Sequence, residues 1–150
     1  MRAVLQRVAE ASVEVDGRVV GQIGPGLLVY VGVAAGETHA EAVALARKVA
    51  GLRIFDDPDG KLNLSVQDAG GAILVVPNFT LQADTRKGRR PSFVNAAPGQ
   101  QAEWLTRAFV DALVAEGAEV ARGVFGADMT IRSVARGPVN VVVDIPTPEA

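Results

Sequence analysis

One short segment limits the fold more than any other, the run Leu-Leu-Val-Tyr-Val-Gly-Val-Ala at residues 27–34. It is apolar at consecutive positions rather than at alternate ones, and it follows the turn-forming triplet Gly24-Pro25-Gly26. A short apolar run of this kind is typical of a strand that is covered on both faces. The sequence therefore predicts a sheet in which this strand is central.

Several other segments predict strands. Asp16-Gly17 is a strong hairpin signal between residues 12–16 and 18–22, because both central positions of such a turn must tolerate positive φ. We expect residues 61–65 to pair with residues 73–76 through the connection at 67–71. The full set of predicted strands is 2–8, 12–16, 18–22, 27–34, 61–65, 73–76, 119–122, 129–134 and 139–145.

Two helices are predicted. The first has a capping box at Thr38 and Glu41, and apolar residues follow at the spacing of one helix face, namely Ala42, Leu45, Ala46 and Val49. The second should run over residues 98–116, since Pro98 suits the first helical turn and Gly117 suits the position after the C-cap. Trp104 falls off its apolar stripe and is expected at an edge or a subunit contact.

The order of these elements does not give a regular alternation of strand and helix, so it favours an α+β fold. We expect a mostly antiparallel or mixed sheet, or a barrel-like β core, with the two helices outside. The 150 residues fit a single domain over residues 1–150, with a frayed tail at 146–150. No apolar run is long enough to cross a bilayer and no signal peptide is recognisable, so a cytoplasmic protein is expected.

Composition excludes several kinds of chemistry. There is no cysteine, which rules out disulfides, thiolate nucleophiles and cysteine-based zinc sites, and the single histidine is His39. Residues 56–60 resemble a calcium loop only superficially, because the ligand spacing fails, and a tight turn is predicted there. Neither a metal nor a cofactor is expected. With a net charge of −2, any basic patch must be local, and binding to DNA is not expected.

The clearest candidate site is residues 73–93. A buried strand at 73–76 reaches Pro77, which cannot donate to a ladder, and Asn78, Phe79 and Thr80 follow where backbone N–H groups are free to serve a ligand. A basic run comes next, formed by Arg86, Lys87, Arg89 and Arg90. This order predicts a site for a polyanion with a reactive end. The alternative interpretation is a plain strand followed by a solvated basic loop.

Thr80 is the natural candidate nucleophile, but a threonine hydroxyl needs an adjacent base. Asp84 is the nearest carboxylate in sequence, and nothing fixes the side of the chain on which it lies. Thr80 could equally be an ordinary β-branched strand residue. The remaining chemistry is an oxyanion hole of backbone N–H groups at residues 78–80, with the reactive group supplied by the substrate.

Gly137-Pro138 is a second candidate site. The simpler interpretation is a turn between the strands predicted at 129–134 and 139–145. The alternative is that a cis bond, affordable only before proline, points two adjacent carbonyls in the same direction. Parallel carbonyls are a good receptor for an ammonium group.

Taken together, these segments resemble the D-aminoacyl-tRNA deacylase family. The similarity covers nearly the whole chain and is strongest in ADTRKGRRPSF and FGADM, with MRAVLQRV, VVGQIGPGLLVYVGVA, LRIF, KLNLSVQD, PNFTL and Gly137-Pro138 in the same order. The resemblance implies a homodimeric β-rich fold and hydrolysis of the ester that joins a D-amino acid to the 3′ end of tRNA, with glycyl-tRNA as a further substrate.

The resemblance also implies roles for particular residues. Gly137 and Pro138 would form a cis-peptide selectivity filter that enters the other subunit's pocket, where their carbonyls receive the amino group of a D-residue and block L-residues. Phe79 and Thr80 would lie at the ester, and the substrate's own 2′-OH would take part in the chemistry. Apart from what the resemblance implies, we predict that Arg86, Lys87, Arg89 and Arg90 help to hold the aminoacylated 3′ end of tRNA through phosphate contacts.

Several positions depart from the family pattern, among them Ala135-Arg136, which stand where the family often has Asn-Asp. Pro77 and Asn78 stand where the family has serine and glutamine, and Asn140 stands where it has threonine. Two interpretations therefore remain open. The chain is either an active deacylase or a protein of the same fold that binds the tRNA acceptor end with weakened or altered catalysis.

Overall fold

Strand β1 (Arg2–Val15) is the axis of the sheet. In this computed structural model, which describes residues 1–146, β1 pairs antiparallel with three other strands. The predicted tail at 146–150 lies outside the described residues except for its first position. In chain order the remaining elements are β2 (Arg18–Ile23), β3 (Gly26–Gly32), α1 (His39–Gly51), β4 (Phe55–Asp56), β5 (Leu62–Leu64), β6 (Ala72–Pro77), a 3₁₀ helix (Phe79–Gln82), α2 (Gly99–Ala115), β7 (Val120–Arg122) and β8 (Thr130–Asp144).

The main sheet is mixed. Its order is β2-β1-β3-β6-β7, and β8 pairs with the other edge of β1. The β3–β6 and β6–β7 pairs are parallel, whereas all pairs that involve β1 are antiparallel. Strands β4 and β5 form a separate two-stranded sheet. The predicted α+β class with a mixed sheet and two helices is confirmed.

The sheet curls until β2 lies against β7, and this approach almost closes it into a barrel. Gly21 on β2 makes this approach possible, since a Cβ atom there would lie 2.6 Å from the carbonyl oxygen of Arg122 on β7. A real side chain never tolerates that distance, so any other residue at position 21 would push the two strands apart.

Strand β3 shows why the run at 27–34 is apolar throughout. Leu27, Val29 and Val31 belong to the core cluster beneath α1 and α2, whereas Leu28 belongs to a second cluster inside the curled sheet. Side chains alternate across a strand, so both faces of β3 are covered. The predicted central position of this strand is confirmed by its pairing with β1 on one side and β6 on the other.

Both predicted helices are present. Thr38 caps α1 with the predicted capping box, in which the Glu41 carboxylate accepts the Thr38 N–H at 2.5 Å. Helix α2 begins one residue later than predicted, because Pro98 is its N-cap rather than its first residue. Trp104 is 55% exposed and its ring centroid lies 6.1 Å from that of His39. No helix among residues 1–146 is both long and apolar enough to span a membrane.

Two strand predictions in the part of the chain before α2 were wrong. The strands predicted at 2–8 and 12–16 are one continuous strand, because β1 pairs with β3 along its first half and with β2 along its second. Register shifts opposite β8 disturb the alternation that would have shown this in the sequence. Residues 61–65 do not pair with 73–76. Residues 62–64 form β5, which pairs with β4 across the predicted tight turn at 56–60, while β6 pairs in parallel with β3 and β7.

Candidate active site

Residues 78–80 follow the end of β6 and lie at the surface. The N–H of Asn78 donates to the carbonyl of Val31 at 2.8 Å, after which the chain turns into the 3₁₀ helix. Gly32 permits this turn, because a Cβ atom there would lie 2.9 Å from the Asn78 carbonyl oxygen. The interpretation of Thr80 as a strand residue is therefore wrong.

Asn78 fixes the geometry of this turn through its side chain. Its Oδ1 atom accepts the backbone N–H of Thr80 at 3.2 Å and also accepts the Thr80 hydroxyl. The Thr80 hydroxyl thus donates its hydrogen bond to an amide oxygen, which cannot act as a base at neutral pH. Asp84, the carboxylate considered as a partner for Thr80, is bound instead by Arg86.

The three N–H groups predicted to form an oxyanion hole differ in their hydrogen-bond partners. Those of Asn78 and Thr80 donate to Val31 and to the Asn78 side chain, whereas the N–H of Phe79 meets no acceptor within residues 1–146. Phe79 therefore supplies the free donor of this turn. Of the three N–H groups expected in the oxyanion hole, it is the one that remains available to a ligand.

A cavity of about 570 Å³ opens beside this donor. Its walls come from β3, the end of β6 with the start of the 3₁₀ helix, the segment that leads into the first turn of α2, and the loop between β7 and β8 with the start of β8. The lining residues are Tyr30, Val76, Pro77, Asn78, Phe79, Ala96, Ala97, Gly99, Ala102, Phe125, Gly126, Ala127, Met129 and Ile131. None of them carries a charge, and burial raises the pKa of Tyr30, which keeps its hydroxyl neutral. This cavity can therefore act through backbone donors and shape rather than through a side-chain acid or base.

The FGADM segment is the part of the cavity that the sequence analysis did not assign. Phe125, Ala127 and Met129 reach the cavity from the loop before β8, more than forty residues from Phe79 in the chain. In the sequence this segment stood out only as one of the longer segments shared with the family. Nothing in its local pattern indicates which surface it faces.

The basic loop is closed at its base. Asp84 and Ser92 exchange two backbone hydrogen bonds of 2.8 and 2.9 Å, so residues 85–91 project as a loop. Two bonds from the Arg86 guanidinium to the Asp84 carboxylate, at 2.9 and 2.6 Å, hold the pKa of Asp84 at about 2. Lys87, Arg89 and Arg90 are exposed and form no salt bridge within the described chain.

The structure places Gly137-Pro138 within a strand rather than in a turn between two strands. Residues 130–144 are continuous as β8, but Gln6 pairs with Asn140 and Val8 pairs with Ala135. Four residues of β8, at 136–139, therefore stand opposite one residue of β1, and they bulge away from the sheet. The Gly137-Pro138 bond is cis, and both residues are exposed.

Arg7 is the single residue of β1 opposite this bulge, and its side chain holds the bulge in position. Its guanidinium donates to the carbonyl of Arg136 at 3.1 Å and to the carbonyl of Ile54 at 3.2 Å, with a salt bridge to Asp56 at 3.5 Å. The Arg7 side chain is only 12% exposed. Sequence reasoning missed this residue because its partners lie far away in the chain.

The structure thus brings together part of the predicted site. Asn78 and Phe79 line the cavity, whereas Thr80, Gly137 and Pro138 are not among the residues that line the cavity of the same chain. The basic loop follows the 3₁₀ helix in the chain.

Comparison with known proteins identifies the family. A family model described as D-Tyr-tRNA(Tyr) deacylase matches residues 4–144. The chain is 53% identical to a D-aminoacyl-tRNA deacylase of Deinococcus deserti, over 97% of this chain and all of that one. It is 56% identical to a D-aminoacyl-tRNA deacylase of Roseiflexus castenholzii, over 96% of this chain and 92% of the relative.

A solved structure titled "c-Myc DNA Unwinding Element Binding Protein" superposes with a TM-score of 0.92 at 37% identity, covering 98% of this chain and 100% of that one. The curled mixed sheet and the two helices are therefore those of a shared fold. On the family match and the identities together, this chain belongs to the D-Tyr-tRNA(Tyr) deacylase family.

Proposed function

We propose that this protein hydrolyses the ester that joins a D-amino acid to the 3′ end of tRNA, and that it also accepts glycyl-tRNA. The observation that carries the proposal is the uncharged cavity at the end of β6, with the free N–H of Phe79 at its edge. Membership of the family and the names of the relatives support the same reaction.

The chemistry needs little from the side chains. The Phe79 N–H donates to the ester carbonyl oxygen as negative charge develops on it, a role worth about 3–4 kcal/mol for one such donor. The 2′-OH of the terminal adenosine is held beside the ester by covalent geometry and relays a proton from the attacking water to the leaving 3′ oxygen, so that no side-chain base is needed. Water supplies the oxygen that stays with the amino acid, and the ribose 3′ oxygen leaves with a proton.

Chirality would come from a second copy of the chain. In this proposal the protein is a homodimer, and the bulge at 136–139 of one copy enters the cavity of the other, where the Gly137 and Pro138 carbonyls receive the ammonium group. An L side chain would collide with the bulge, whereas glycine has none to collide. The exposure of both residues, outside their own cavity, supports this arrangement.

A second function, binding of the tRNA end with weakened catalysis, rests on one specific observation. The Asn78 side-chain oxygen already accepts two hydrogen bonds from Thr80, so it has no lone pair left to accept a bond from a substrate. Pro77, in turn, offers neither a hydroxyl nor an N–H. The two functions differ in whether the ester is lost.

The deciding experiment follows the amino acid released from D-tyrosyl-tRNA. We expect the wild-type protein to release it catalytically and Ala127→Trp to release almost none, because the new indole would fill the cavity. Trp104→Phe, a change at the exposed surface of α2, is the matched control and should retain activity. Binding of D-tyrosyl-tRNA by the wild type without release of the amino acid would favour the binding protein.

We further propose that Lys87, Arg89 and Arg90 contact phosphates, while Arg86, tied to Asp84, fixes the loop that carries them. Each phosphate contact to a single strand adds about 0.7 to the slope of log K against log salt concentration. Lys87→Ala/Arg89→Ala should therefore flatten the slope of tRNA binding by about one to two units. Arg86→Ala, measured alongside, should change it less. An unchanged slope with lowered stability in the double variant would contradict the phosphate contacts.

A further inference from the structure

Two phenylalanines form an exposed aromatic corner next to the cavity. The ring centroids of Phe79 and Phe93 lie 5.1 Å apart with the ring planes at 67°, and the two residues are 58% and 37% exposed. Phe79 lines the cavity, whereas Phe93 does not. Because the two rings lie in different planes, the corner can receive two flat groups in succession rather than one.

The backbone around Phe93 is fixed on both sides. Ser92 pairs with Asp84, the carbonyl of Phe93 accepts the Ala96 N–H at 3.0 Å, and the carbonyl of Asn95 accepts the Ala35 N–H at 2.9 Å. The backbone that carries Phe93 is thus held in place by the fold, and its ring packs edge-on against Phe79 while part of it stays in water. A rigid, exposed aromatic ring is a ready stacking surface, since little conformational entropy is lost when a ligand covers it.

Unpaired positive charge comes directly before this ring in the chain. Lys87, Arg89 and Arg90 lie three to six positions before Phe93, on the loop whose base is the Asp84–Ser92 pair. Aromatic rings for the bases and cations for the backbone are the two components of sites that bind single-stranded nucleic acid.

We propose that Phe93 stacks on the base of the nucleotide that precedes the terminal adenosine of the tRNA, while the loop cations hold the phosphates of the single-stranded 3′ end. The orientation of the strand rests on the proposed function, which puts the terminal aminoacyl group at Phe79. Stacking on a phenyl ring is tolerant of sequence, because every base has a π face. The site would therefore read the presence of a second nucleotide and not its identity.

The experiment compares two short substrates, 3′-D-tyrosyl-adenosine and the D-tyrosyl ester of the dinucleotide cytidylyl-adenosine. For each protein the measured quantity is the ratio of kcat/KM for the dinucleotide to that for the nucleoside. We expect the ratio to exceed one in the wild type and to fall roughly tenfold in Phe93→Ala, the effect of one lost base–aromatic stack. A general loss of activity divides out of this ratio.

Two further variants separate stacking from simple support of Phe79. Phe93→Tyr keeps an aromatic face and should keep the ratio, whereas Phe93→Leu keeps apolar contact with Phe79 and should lose it. An unchanged ratio in Phe93→Ala, or full rescue by leucine, would overturn the proposal, as would a wild-type ratio of one.

The same ratio, measured as Kd for uncharged adenosine and uncharged cytidylyl-adenosine, tests the stack independently of catalysis. If the wild type releases no amino acid from either ester yet shows the Phe93-dependent gain in binding, the proposed reaction fails and the stacking site stands. If the reaction proceeds without that gain, the stacking site fails alone.

Discussion

A D-aminoacyl-tRNA that ends in 2′-deoxyadenosine should be hydrolysed at least about a thousandfold more slowly than the ordinary substrate, because the reactive neighbour of the ester is then missing. Replacement of the Thr80 side chain should matter far less. We expect Thr80→Ala to slow turnover by about tenfold or less, measured under single-turnover conditions on both substrates.

The structure explains the small effect expected at Thr80. Its hydroxyl donates to the Asn78 amide oxygen, which cannot take up its proton at neutral pH, and the nearest carboxylate in sequence is engaged by Arg86. A threonine in this setting is a weak nucleophile. The free donor of the turn is the Phe79 N–H, which Thr80→Ala leaves in place.

Thr80→Ser is the control, since it keeps the hydroxyl and its bond to Asn78. The opposite pattern, in which the deoxy substrate turns over normally while Thr80→Ala is inactive and Thr80→Ser is active, would make Thr80 the nucleophile and overturn the substrate-assisted mechanism.

The second large effect should appear when two defective proteins are mixed. Arg7→Ala removes the guanidinium that holds the Arg136 carbonyl, and a hydrogen bond from a charged donor is worth about 1.5–3 kcal/mol. We expect the bulge at 136–139 to lose its fixed position, and the preference for D- over L-tyrosyl-tRNA to fall by at least about tenfold.

Ala127→Trp has the complementary defect, a filled cavity beside an intact bulge. After subunit exchange with a tenfold excess of Ala127→Trp, most Arg7→Ala chains should face an intact bulge across a dimer interface. The D-over-L preference of the mixture should then return towards that of the wild type, although neither protein shows it alone. Arg2→Ala, which removes an exposed salt bridge from the same strand, is the control for Arg7→Ala.

A preference that stays low whatever the excess of Ala127→Trp would mean that the bulge acts within its own chain. A monomeric mass in sedimentation, with full selectivity, would contradict the dimer directly.

The sequence predicted well the features that depend on local chemistry. The capping box of α1 needs only Thr38 and Glu41 at the right spacing, and the Asp16-Gly17 turn needs only two residues that accept positive φ, which both adopt. The central place of β3 followed from a run that is apolar on both faces.

Features set by distant partners were not predicted. The bulge in β8 exists because β1 supplies one residue where β8 supplies four, and no pattern within 129–145 shows this. The cavity needs the FGADM loop and the end of β6 in one place, a contact that only the curled sheet creates. The fate of each N–H at 78–80 likewise depends on the Asn78 side chain and on Val31.

The most direct measurement follows release of amino acid from matched D- and L-tyrosyl-tRNA by the wild-type protein. The proposed function predicts rapid release of D-tyrosine. At the same protein concentrations, L-tyrosyl-tRNA should be hydrolysed no faster than in buffer alone. Equal release from both, or release from neither, would contradict a chirality-selective deacylase.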